Sequence, residues 1–128
     1  MQFKLLFFIA LGGAAGAVGR FLFVTGLNHW FGLSSAIGTF FINCLGSFLL
    51  GLLISIMEFL WSVDESVKAM LVVGFLGSLT TFSAFSRDCV MFFGKGEYGY
   101  AFIYIVGSVA LSLVGFILGL SVIRSQFS

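Results

Sequence analysis

Three stretches of this chain carry polar groups that could bind or pass a small solute, set into an otherwise apolar sequence. Residues 77–86 read Gly-Ser-Leu-Thr-Thr-Phe-Ser-Ala-Phe-Ser, with five hydroxyls in ten positions. Thr39, Asn43 and Ser47 follow one another at intervals of four, as do Tyr104, Ser108 and Ser112, so each set draws a polar line along one helix face. Phe82 and Phe85 share a face where the backbone is helical, and they sit among hydroxyls rather than leucines. The Asn43 amide and the serine hydroxyls are donors, and phenylalanine ring edges carry positive partial charge. Donors and positive edges without a full cation suit a small hard anion and hold it weakly enough to let it go. The residues together predict a narrow, neutral, polar path for a small anion.

Other chemistries lack their parts. There is no nucleophile with an adjacent base, no H-E-x-x-H and no catalytic pair of acids. The glycine-rich run at residues 12–19 lacks the G-x-G-x-x-G spacing and opens no βαβ unit. Cys44 and Cys89 read as small buried hydrophobes rather than as a disulfide or metal pair. His29, placed in the first loop beside Trp30, reads as an interfacial anchor. With a net charge of +1, nothing in the chain attracts nucleic acid.

The elements that carry these residues follow from composition. Of 128 residues, 60% are hydrophobic and only 9% are charged, against about 25% charged in soluble domains. Eleven charged side chains cannot solvate the surface of a free-standing soluble domain of this size. A membrane helix needs roughly 20 mostly apolar residues, and charges and turns cut the chain into four such spans, at about residues 5–27, 33–57, 69–93 and 98–123. The expected fold is an all-α membrane protein, one four-helix transmembrane domain over residues 1–128. Lys4, the apolar run and Ala15-Gly16-Ala17 have the look of a signal peptide, but the run continues past Arg20 and three more spans follow. An even number of spans puts both termini on one side, with Lys4, Lys68 and Arg124; Arg20, Arg87 and Lys95 fall to the other. Three cations against three give the positive-inside rule nothing to act on. Insertion both ways round, and hence an antiparallel homodimer, is the expectation.

Helices in lipid associate through small residues and polar contacts. Gly12 and Gly16, Ala15 and Gly19, Ser47 and Gly51, and Gly115 and Gly119 are small residues four apart that predict close helix packing. The hydroxyl-rich stretch after Gly74 and Gly77 predicts a break in the third span, since irregular backbone at membrane depth must face protein or a watery cavity. Carbonyls freed there could hold a cation. Arg20 is read as snorkelling to the interface, or as giving an anion an attractive vestibule.

Three runs of residues carry a resemblance to a known family. Gly-Gly-Ala-Ala-Gly-Ala-Val-Gly-Arg at residues 12–20, Gly-Thr-Phe-Phe-Ile-Asn-Cys-Leu-Gly-Ser-Phe at 38–48 and Gly-Phe-Leu-Gly-Ser-Leu-Thr-Thr-Phe-Ser-Ala-Phe-Ser at 74–86 resemble the Fluc (CrcB) fluoride channels, and with the four-span layout the resemblance covers the whole chain. It implies a fluoride-selective channel in the bacterial inner membrane, an antiparallel, dual-topology homodimer with two pores that lets cytoplasmic fluoride leak out. It implies a sodium ion at the dimer centre, held by the backbone carbonyls of Gly77 and Thr80. Phe82 and Phe85 would turn their ring edges to fluoride. Asn43 would be the pore asparagine, Tyr104, Ser108 and Ser112 a polar track, and Arg20 a vestibule residue; Thr39 and Ser83 are placed along the same pathway. The chain departs from the family in having Ala84 where Thr is common and Asp88 where Glu is frequent. Two other classes remain: a small dual-topology exporter of another solute, which would want an intramembrane acid, and a membrane assembly protein that transports nothing.

Overall fold

In the computed structural model, which describes residues 2–127, the chain forms four long apolar helical spans joined by short turns. Helix α1 spans Phe3–Phe31 and α2 spans Ser35–Phe59. The third span, Glu65–Gly94, is built in pieces. It consists of α3 (Glu65–Ala69), a π-helical stretch Met70–Leu76, α4 (Gly77–Leu79) and α5 (Phe82–Gly94). Helix α6 runs Tyr98–Phe127. The protein is therefore a multi-pass membrane protein, with large apolar side chains such as Phe21, Phe102, Ile117 and Leu118 on its outer faces.

Local chemistry sets the ends. Gly32 closes α1 in the left-handed region (φ 69°), where a side chain would be strained, and its N–H returns to Asn28 O. The Ser34 hydroxyl caps α2 by accepting from the Ile37 N–H, so this helix starts two residues later than its apolar run. His29 lies in the last turn of α1 rather than in a loop, its ring edge-on to Trp30 at 5.1 Å. Elsewhere the helices outrun the apolar stretches by up to four residues, because polar residues at the ends keep helical hydrogen bonds while reaching the headgroups.

Two ion pairs gather the chain ends on one side of the bundle: Lys4 with Asp64 at 3.1 Å, and Arg124 with Glu58 at 2.8 Å. The Lys4 ammonium holds the exposed Asp64 carboxyl below its usual range. Because that pKa is lowered on folding, the pair stabilises the fold above the ordinary carboxylate range and is lost as the pH falls through the lowered value.

Between the helices, glycine lets backbone meet backbone. In the α2–α6 seam, Gly51 sits against Phe116 O and Gly119 against Phe48 O, while a Cβ on Gly115 would come within 3.2 Å of Cys44 O. The buried Ser55 hydroxyl donates across this seam to Leu120 O at 2.8 Å. Helix α1 packs in the same way on the π-helical stretch, with Gly12 against Met70 O, Gly16 against Phe75 O, and Gly74 facing back to Ile9 O. Gly12 with Gly16 and Gly115 with Gly119 are pairs the spacing predicts, and Gly51 is the glycine of a third. The Ala15–Gly19 pair meets no backbone, since Ala15 is exposed and Gly19 touches only the Leu79 side chain. The contacts that form work by close approach rather than by apolar burial. Gly46 does the same for the break, since a Cβ there would strike the Thr80 methyl.

Gly51→Ala should destabilise the protein by about 1–3 kcal/mol, because its Cβ meets backbone that cannot move aside. Gly99→Ala, in open space at the start of α6, should be neutral or stabilising by up to about 1 kcal/mol. Thermal unfolding of the two variants in detergent reads this contrast. The same assay on Asp64→Asn should separate variant from wild type at neutral pH and show them converging in acid.

Candidate functional site

The third span loses its helix at Thr80 and Thr81, whose backbones are extended (φ −86°, ψ 157° and φ −150°, ψ 119°). At this depth there is no water to take up the freed backbone groups, so each needs a partner from the protein. Asn43, from the middle of α2, supplies two. Its Nδ2 donates to Thr81 O at 3.0 Å, and its Oδ1 accepts from the Thr81 N–H at 2.7 Å. One side-chain amide thus pairs with the break as a neighbouring β-strand would. Thr81 then caps α5, its hydroxyl accepting from the Ala84 N–H at 3.2 Å and lying 3.1 Å from the Ser83 hydroxyl. On the other side of the break, the Thr80 hydroxyl returns to Leu76 O at 3.1 Å, and Arg20 Nε donates to Ser78 O at 3.2 Å.

This arrangement changes what the carbonyls can do. A continuous helix would give Gly77 O the Thr81 N–H and Thr80 O the Ala84 N–H. The first donor now belongs to Asn43 and the second to the Thr81 hydroxyl. Gly77 and Thr80 therefore present hard oxygen dipoles that lack their helical donors, a donor set that fits a hard cation such as sodium.

Beside the break opens a cleft of ≈ 290 Å³, lined on its polar side by Asn43, Ser47, Thr80, Thr81, Ser108 and Ser112, and by Phe82, Phe85, Val109 and Leu113. It joins the polar lines of α2 and α6 to the start of α5. Phe82 stands 76% exposed at its rim, whereas Phe85 is 8% exposed, their ring centroids 5.4 Å apart. Phe85 in turn packs on Tyr104 at 5.4 Å. The Ser108 hydroxyl is buried and has no hydrogen-bond partner among the described residues, which is costly for a buried polar group. Ser112 Oγ has the soft Cys44 Sγ at 3.8 Å as its contact.

Of the residues singled out from sequence, Asn43, Phe82, Phe85, Ser108 and Ser112 line this one cleft, as does Thr80. Tyr104 lies one turn along α6, at the wall of a second, mostly apolar cavity of ≈ 630 Å³ shared with Phe40, Phe92 and Tyr100. Thr39 is buried one turn before Asn43, and Ser83 is spent on Thr81; neither lines the cleft. Gly77 sits just before the break. Arg20 does not reach for the interface: it lies about three turns from the nearer end of α1, bonded to a carbonyl at the break. Cys44 and Cys89 are both free.

Two residues that the sequence reading mentioned but did not assign to the site belong to it. Asp88 is buried inside the bundle, accepting from the Tyr104 hydroxyl at 2.9 Å with the Arg87 guanidinium at 3.4 Å. The signal for it was available, an acid within an apolar span, which is costly unless partnered. Thr81 stood only as one hydroxyl of a cluster, yet its backbone is the group that Asn43 holds. No spacing rule reveals a pairing between an amide and a backbone 38 residues away.

Comparison with known proteins gives the site a context. A family model described as CrcB-like protein, Camphor Resistance (CrcB), matches residues 7–120. A protein of Nitrobacter winogradskyi named Fluoride-specific ion channel FluC is 38% identical over 124 residues, covering 97% of this chain and 98% of its own length. A protein of the same name from Rhodospirillum centenum is 38% identical over 95% of this chain and 97% of its own length. Another, from Cereibacter sphaeroides, is 40% identical over 91% of each.

Asn43→Leu keeps the size of the side chain and removes both hydrogen bonds to Thr81. It should cost about 1–3 kcal/mol of stability and release the Thr81 amide to rapid hydrogen exchange, with α2 and α6 still protected. Exchange mass spectrometry together with thermal unfolding checks both halves of this expectation.

Proposed function

We propose, from the premise that the chain belongs to the CrcB-like family, how its cleft passes an ion. The protein is a fluoride channel and not an enzyme. It sits in the bacterial inner membrane as an antiparallel, dual-topology homodimer with two pores, and fluoride leaves the cytoplasm through it passively, down its electrochemical gradient. The observation that carries the reading is the cleft itself: amide, hydroxyl and aromatic-edge donors converge there, and the Ser108 hydroxyl is buried without a protein partner. A hydroxyl with nothing to bond is available to an ion shedding its water.

The roles follow from the chemistry of each group. Asn43 Nδ2 has a second hydrogen beyond the one given to Thr81 O, and it can meet an anion. Phe82 and Phe85 offer positive ring edges, which attract fluoride without trapping it. Tyr104, Ser108 and Ser112 continue the path along α6, with Thr39 and Ser83 beside it. Phe82 is exposed at the rim, and in the proposed dimer it would meet the second copy of the chain. Gly77 and Thr80 carbonyls would hold a structural sodium ion, which would supply positive charge beside carbonyl dipoles that lack their helical donors. Lipid is the remaining partner, around the outer faces.

A proton-coupled exporter would want an intramembrane acid free to titrate. Asp88 is engaged by Tyr104 and Arg87, and Glu58 by Arg124, so neither favours that reading.

The test is passive fluoride efflux from liposomes carrying the purified protein, read with a fluoride electrode, with chloride as control. Rapid fluoride efflux without chloride efflux is expected. Phe82→Ile and Ser108→Ala should each slow it at least tenfold in protein that elutes as the same oligomer. No efflux from reconstituted wild type would sink the channel reading. Full efflux in both variants would sink the residue assignments.

A further inference from the structure

We infer that Arg20 is a positioning residue that holds the break in the third span through its bond to the Ser78 carbonyl, and thereby decides which carbonyls of the break stay free. For its effect on conduction, the inference rests on the channel reading above.

Ser78 is the middle residue of α4, a helix remnant of three residues between the π-helical stretch and the extended Thr80–Thr81 pair. In a continuous helix its carbonyl would receive the Phe82 N–H. The break takes that donor away and leaves Ser78 O at the negative end of a helical segment, at membrane depth, where an unpaired carbonyl is costly. Arg20 Nε fills the gap at 3.2 Å. A guanidinium is suited to the place: it adds charge to the bond, and its planar N–H groups fix direction.

The approach is built into the packing. Gly16, one turn before Arg20, lies against Phe75 O and would strike the Ser78 Cβ if it carried a side chain. Gly13 faces the Ser78 hydroxyl, and Gly19 faces Leu79. A smooth glycine face of α1 therefore brings Arg20 down onto the break.

Arg20 and Asn43 divide the work. Asn43 takes both backbone groups of Thr81, and Arg20 takes Ser78 O. Of the four carbonyls whose helical donors the break removes, Ser78 O is given to Arg20, while Gly77 O, Leu79 O and Thr80 O are given no side chain in return. Without the Arg20 bond, Ser78 O would compete for whatever Gly77 O and Thr80 O hold, and the geometry of the break would no longer be unique. This role differs from that of a vestibule cation, which would act through charge alone.

The experiment separates charge from donor geometry. Arg20→Lys keeps the charge and changes the donor, whereas Arg20→Ala removes both and leaves space. Amide exchange of nanodisc-held protein is read at the break and, as reference, along α6; fluoride efflux is read in liposomes. Both variants should exchange at least tenfold faster at the break, with α6 unchanged, and both should lose efflux. Methylguanidinium, and not methylammonium at equal ionic strength, should restore efflux to Arg20→Ala. Wild-type exchange and efflux in Arg20→Lys would overturn the proposal, since charge would then suffice. Equal rescue by methylammonium would overturn it too, as would efflux lost without any change in exchange. Wild-type liposomes that pass no fluoride would refute the channel reading instead, and the exchange comparison alone would then decide the role of Arg20.

Discussion

A backbone amide in hydrocarbon has no water to fall back on, and this structure is organised around one place where that constraint is met without a helix. At Thr81 the chain is extended in mid-span, and the Asn43 side chain takes both its N–H and its carbonyl. Without that pairing both backbone groups of Thr81 lose the partner that α2 gives them, and the break loses the contact that fixes its course. Asn43 is therefore both a wall of the cleft and the reason the cleft has its shape. Such double use explains why an amide, rather than a hydroxyl, stands at the centre of α2: only an amide offers a donor and an acceptor side by side in the geometry of a strand.

The rest of the fold serves to bring three helices within reach of this point. The α2–α6 seam and the α1 contact with the π-helical stretch both rely on glycines against carbonyl oxygens, which keeps the axes closer than leucine packing would. Close axes put short side chains within hydrogen-bonding distance, so serine, threonine and asparagine suffice and no long charged side chain enters the cleft. Longer groups lie around it, with Asp88 held by Tyr104 and Arg87 on one side and Arg20 held by Ser78 on the other. The result is a polar cleft with little net charge at its wall, a suitable setting for an ion that must enter and leave quickly.

Much of this was legible before any coordinates. Four spans follow from where charges interrupt apolar runs, because the cost of burying charge in lipid is large and sequence records it directly. The break follows from hydroxyl density around residue 80. Spacing by four puts Asn43 with Ser47, and Ser108 with Ser112, on one helix face each and so in the cleft. It also names Thr39 and Tyr104, which lie one turn outside it, because where a cleft ends depends on the neighbouring helices. Hidden from sequence were facts that depend on two elements at once. The Asn43–Thr81 pairing and the Arg20–Ser78 bond each join distant segments, and neither partner shows in advance which carbonyl will be left over. The snorkelling expectation for Arg20 failed for this reason, since a partner in the protein was closer than the interface. The π winding of Met70–Leu76 was equally invisible, because its residues are ordinary helix formers in lipid.

That winding has a consequence of its own. A π-helix closes its rings over one residue more than an α-helix, so it rotates the chain that follows it. The stretch Met70–Leu76 thus acts as a phase adjuster, turning Ser78, Thr80 and Thr81 to the angle at which α1 and α2 can take hold of them. Each residue of an α-helix advances it by about 100°. Removing one residue from this stretch would swing the break roughly a quarter turn away from Asn43 without changing composition, hydropathy or the number of spans. The stretch is thus constrained in its length as well as at Gly74, where it meets α1.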